Sequence, residues 1–120
     1  IIIRGEFMEN LEKKLAVIEK ACEDKKGIDI KVLNITKLTP IADYFVIVSG
    51  NSSTQVMSIA DEVQDKMAEL GYVDVIKEGY QSGRWVLLDY KDIIVHVFHK
   101  DERDHYDLER LWSDKKEEKQ

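Results

Sequence analysis

The run Tyr44-Phe45-Val46-Ile47-Val48 leaves the chain few folds to choose from, because five apolar residues follow one another with no polar alternation. Aromatic and β-branched residues in an unbroken run suit a central strand covered on both faces. The chain must therefore supply two covering layers. Directly after the run come Ser49-Gly50-Asn51-Ser52-Ser53-Thr54-Gln55. Gly50 and Asn51 tolerate the positive φ that a sharp strand-to-helix turn often needs, and Ser52 with Gln55 has capping-box spacing, so a helix is predicted to start near Ser53. Free amides at such a helix start, beside Ser49, Gly50 and Ser52, also suit an anion. The loop has neither a G-x-G-x-x-G fingerprint nor a Gly-Lys-Ser/Thr ending, and it is read as a structural turn.

The rest of the chain divides around that core. From Asn10 to Lys26, Leu11, Leu15, Ile18 and Cys22 recur at helical spacing, widened by Val17 and Ala21, and Gly27 is placed to end the helix in a left-handed conformation. Ile28 to Ile35 alternates apolar and charged residues, as in a strand near a sheet edge. The helix after the Ser-Gly loop carries Val56, Ile59, Ala60, Val63, Met67 and Leu70 on one stripe and ends at Gly71. Val73 to Ile76 is a short strand candidate, which makes strand, helix and returning strand a βαβ unit. Lys77 to Arg84 is a loop. Trp85-Val86-Leu87-Leu88 and Ile93 to Phe98 form a hairpin around Asp89-Tyr90-Lys91-Asp92, and Asp101 is placed to cap a last helix bearing Tyr106, Leu108, Leu111 and Trp112. The elements predict one α/β (α+β) domain with a mixed, mostly parallel central sheet and flanking helices.

Composition narrows the function classes. With 120 residues and 43% hydrophobic content, there is material for one core. Residues 1–7 look unlike the rest and are read as an expression remnant before Met8. The domain then runs over 8–113, and 114–120 is a charged tail. A net charge of −6 and a pI near 5.1 argue against a direct, sequence-independent grip on DNA or RNA, which needs clustered Lys and Arg, and suit a basic protein partner. The only cysteine, Cys22, is read as core packing, with no disulfide or thiolate metal cluster available to it. No stretch nears the roughly 20 apolar residues of a membrane span. A cytosolic location is expected.

Groups capable of chemistry are sparse. Asp89 and Asp92 flank the hairpin turn, whereas a nucleotidyl transferase wants two carboxylates one residue apart on a strand, aimed at one pair of metal ions. Turn residues of this kind usually serve the turn. His96, His99 and His105 do not converge by strand alternation, and His96 is read as a hydrogen-bonded core residue. No metal site, cofactor site or catalytic set is assigned. Trp85 opens a strand after a glycine-bearing loop and is read as an interface anchor in preference to a core plug, since Trp dominates binding hot spots and carboxylates around it suit a basic surface.

Several blocks together resemble the Iojap-related ribosomal silencing factors. They are Asp43-Tyr44-Phe45-Val46-Ile47-Val48-Ser49-Gly50-Asn51-Ser52-Ser53-Thr54-Gln55-Val56 with Ile59-Ala60-Asp61, then Glu78-Gly79 before Trp85-Val86-Leu87-Leu88-Asp89-Tyr90, then Asp92 to Phe98, then Tyr106 to Trp112. The resemblance implies a fold distantly like nucleotidyl transferases without that activity, and homodimers in isolation. It further implies binding to the large ribosomal subunit through ribosomal protein fourteen of that subunit, which blocks joining of the small subunit. On that expectation Trp85 packs on the ribosomal protein, while Asp89, Asp92 and Glu78 face its Lys and Arg side chains. The alternative expectation is a small nucleotide-binding or nucleotidyl transferase enzyme using Ser49, Gly50, Asp89 and Asp92. One departure from the family pattern is Lys91, where many members have glycine.

Overall fold

The structure, a computed structural model, describes residues 2–108 and 110, with side chains from Asn10 onward except that of Tyr106. In chain order it comprises α1 (Ile2–Asp24), β1 (Ile28–Asn34), β2 (Tyr44–Gly50), α2 (Ser53–Glu69), β3 (Ile76–Glu78), β4 (Trp85–Asp89), β5 (Ile93–His99) and α3 (Lys100–Tyr106), with a 3-10 turn at Tyr80–Ser82. The charged tail, Leu111 and Trp112 lie outside the described residues.

The apolar run becomes β2, second in a five-stranded sheet of order β1-β2-β5-β4-β3. It pairs antiparallel with β1 and parallel with β5, and the remaining pairs, β5 with β4 and β4 with β3, are antiparallel. The sheet is mixed as expected, but it is not mostly parallel: among the described residues β2 with β5 is the only parallel neighbouring pair. The reason lies in the return from α2. That return strand, β3, runs in the direction of β2 but at the far edge, and two antiparallel connections, the loop 79–84 and the short turn 90–92, then bring β4 and β5 back to fill the gap.

Strand alternation splits the core in two. Val46, Val48, Val86, Leu88, Ile93, Val95 and Val97 face α1 and α2, where they meet Leu11, Ile18, Ala21, Cys22, Val56, Ile59, Ala60, Val63 and Met67. Burial also pushes the Cys22 thiol up to about 12, which makes it an inert packing group. On the other face Phe45, Ile47, Ile94 and Phe98 form a smaller cluster with Ile35, Ala42, Leu33, Leu38, Trp85, Leu87 and Leu108. Among the described residues no long helix covers this second face.

Several local expectations need correction. Lys26, at φ 60, takes the left-handed position that ends α1, and its amide and that of Gly27 close onto Glu23 O and Cys22 O at 2.9 and 2.8 Å. Gly27 is needed for closeness instead: a Cβ there would lie 2.5 Å from Val48 Cγ2. Gly50 and Asn51 do not adopt positive φ either, and a Cβ on Gly50 would press on Val56 N at 3.0 Å. The short strand is displaced from Val73–Ile76 to Ile76–Glu78, and Leu70 is 39% exposed at the end of the α2 stripe. His99, not Asp101, caps α3: its Nδ1 accepts from Asp101 N at 3.2 Å. That helix stops at Asp107, whose φ of 45 breaks the single long helix expected there. Lys91 sits at φ 78, a conformation that glycine adopts without strain.

Candidate partner-binding face

Residues opposite one another in neighbouring strands share a face, so the sheet register lays out the second face in rows. One row runs Glu78, Leu87, His96, Ile47, and the next runs Ile76, Asp89, Ile94, Phe45. A third begins with Trp85 opposite Phe98 and Phe98 opposite Ser49. Trp85, Glu78 and Asp89 therefore stand on one side of the sheet, at its β3–β4 margin. Between them lie half-buried Leu87 and Ile76, the latter 59% exposed. Sequence reasoning missed both, because the alternation of β4 reveals Leu87 only once the strand is known to face water, and Ile76 had been placed at a strand end.

Trp85 is held more firmly than a free anchor would be. Its ring stacks on Phe98 at 4.8 Å between centroids, and its Nε1 donates to His96 Nδ1 at 3.2 Å. Accepting at Nδ1 leaves the neutral ring of His96 with its proton on Nε2, which is buried without a hydrogen-bond partner. Burial lowers the His96 pKa to about 4, so the imidazole is neutral. Phe45 meets it edge-on at 4.7 Å. The core reading of His96 holds, and Trp85 combines a packed ring with a half-buried surface.

The two hairpin aspartates part company. Asp89 Oδ1 accepts from Lys91 N at 2.8 Å and braces the turn, while the residue stays partly exposed on the second face. Asp92 turns toward α1, where Lys14 Nζ donates to its Oδ2 at 2.8 Å with side-chain exposures of 15% and 16%. Its carbonyl also accepts from Asp43 N and Tyr44 N. Asp92 thus ties hairpin, β2 and α1 together, with its carboxylate turned to the helix-covered side of the sheet. The two carboxylates do not converge on a common point.

The Ser-Gly loop is similarly engaged. Ser52 Oγ accepts from Gln55 N at 3.1 Å, and Gln55 Oε1 accepts from Asn51 N at 2.6 Å. Gln55 Nε2 then donates to the carbonyls of Lys25 and Lys26, which clasps the end of α1 to the start of α2. Buried Arg103 donates from Nη1 to Ser49 Oγ at 3.0 Å and to Ile28 O at 3.2 Å. A phosphate would have to displace these contacts. Among the described residues no group of three or more His, Cys, Asp or Glu is placed to hold a metal ion, and no helix is long and apolar enough to cross a membrane.

Comparison with known proteins agrees with this architecture. A protein from Bacillus subtilis named ribosomal silencing factor RsfS is 46% identical over 105 residues, covering 88% of this chain and 89% of that protein. The chloroplast protein Iojap of Zea mays is 30% identical over 95 residues, 79% of this chain and 41% of that longer protein. A crystal structure of a Chromobacterium violaceum protein superimposes with a TM-score of 0.82 at 40% identity, over 85% of each chain. The family described as "Ribosomal silencing factor during starvation" matches residues 8–120, and the chain belongs to that family.

Proposed function

We propose that this chain represses translation by binding the large ribosomal subunit through ribosomal protein fourteen of that subunit, on the surface where the small subunit would dock. The second face of the sheet is the contact. Trp85 and Leu87 supply its apolar centre, and Glu78 and Asp89 meet Lys and Arg side chains of the ribosomal protein. Repression is steric and needs no chemistry. The protein works in the cytoplasm, and a homodimer formed by free chains through the same face would have to dissociate before binding.

The observation that carries this reading is the grouping of Trp85, Leu87, Glu78, Asp89 and exposed Ile76 on a side of the sheet that α1 and α2 leave open. An aromatic centre with a charged rim is the usual anatomy of a protein interface, and a net charge of −6 favours a basic partner. Asp92 is left out of the contact because Lys14 already holds it.

The test is co-sedimentation with isolated large subunits. Reversing both rim charges, Glu78→Lys with Asp89→Lys, should weaken binding by at least tenfold while the circular dichroism stays unchanged, and added salt should weaken the wild type. Undiminished binding of the folded double variant would move the contact elsewhere.

A further inference from the structure

The sheet has two outer strands, and they are protected differently. The register of β1 slips between Ile28 and Lys31, and Asp29 there sits at φ 53, an irregularity of the kind that twists an edge away from would-be partners. By contrast, β3 runs in unbroken register against β4, with Ile76, Lys77 and Glu78 all exposed and no further strand beside them among the described residues. An outer strand in this state presents backbone amides and carbonyls to whatever lies alongside.

Self-pairing meets a charge conflict at this edge. A two-fold antiparallel register centred on Lys77 opposes Lys77 to itself, one centred on Glu78 opposes Glu78 to itself, and one centred on Ile76 opposes Glu78 to Asp74. Like charges directly opposite are destabilising in an antiparallel pair. A basic strand meets no such conflict on the second face, where Glu78 and Asp89 flank the apolar Ile76.

We propose that β3 receives an extended segment of a basic protein as a sixth strand of the sheet. This deepens the reading above and rests on it, the donor being the ribosomal protein. Main-chain hydrogen bonds to β3 supply affinity. Alternate side chains of the incoming strand supply specificity, an apolar one beside Ile76 and Lys or Arg beside Glu78.

Amide hydrogen exchange on the full chain, free and mixed with purified ribosomal protein fourteen, tests this. The outward amides of residues 76–78 should slow by about tenfold or more in the complex, as for amides moved from solvent into a sheet ladder. Ile76→Asp should weaken the complex more than Val73→Asp, which alters a residue just as exposed but outside the strand. A complex in which these amides exchange as in the free chain overturns the strand-addition proposal and leaves the face contact standing. Slowing that depends on the chain's own concentration, without the partner, assigns the edge to a second copy and also overturns it. Absence of any complex refutes the proposed function, and the strand addition with it.

Discussion

Lowering the pH from 7 to 5 should cost this fold about 2 kcal/mol through His96 alone, if its folded-state pKa is near 4 against an unfolded value of 6.5. Burial disfavours the imidazolium, so the unfolded chain binds the extra proton first. The stabilising contribution is complete above 6.5 and is lost as the pH falls toward 4. Protonation has a structural consequence as well, because Nδ1 can no longer accept from Trp85 Nε1, and the charge is trapped among Phe45, Trp85 and Phe98. The control is His96→Gln, whose amide oxygen offers Trp85 an acceptor but does not titrate. It should be less stable than wild type at pH 7. Its urea-unfolding free energy should nonetheless vary less with pH between 7 and 5, and the difference between the two slopes isolates His96 from the other titrating groups. Equal slopes for wild type and variant would refute a buried neutral histidine and the Trp85 bond that depends on it.

Other perturbations follow from the same contacts. Gly27→Ala places a Cβ against fully buried Val48 and should destabilise by about 1–3 kcal/mol in urea titration, as overpacking does; a neutral result would mean α1 and β2 are less tightly opposed. Lys91→Gly relieves a left-handed lysine and should raise stability by about 0.5 kcal/mol, net of the added freedom of the unfolded chain; a loss would place the turn in another conformation. Asp92→Ala leaves Lys14 largely buried without its partner and should cost about 2 kcal/mol of stability, yet the folded fraction should bind large subunits as wild type does, because Asp92 faces α1. A selective loss of binding would return Asp92 to the contact surface.

The strands, helices and their order were legible because hydrophobic periodicity is local, and β2, α2 and the hairpin announce themselves within a few residues. Even the Ser52–Gln55 cap was readable, since both partners lie within one turn. What escaped was set by distant contacts. Whether Gly27 is needed for its φ or for its lack of a Cβ depends on Val48, and the fate of Asp92 depends on Lys14. The position of β3 was missed because its Lys77 and Glu78 look like loop, and only pairing with Leu88 and Leu87 makes them strand. Of the proposed contact face, Trp85, Glu78 and Asp89 were each open to naming from the sequence. Their common face needed the sheet order, and the bond from Trp85 to His96 needed the register.

Steric occlusion itself is tested most directly by mixing large and small ribosomal subunits with this chain in excess and following their joining by sedimentation. The prediction is that particles of joined subunits fall as the chain saturates the large subunit, and that Glu78→Lys with Asp89→Lys restores joining. If the chain occupies the large subunit and the small subunit still joins at its normal level, the mechanism is wrong.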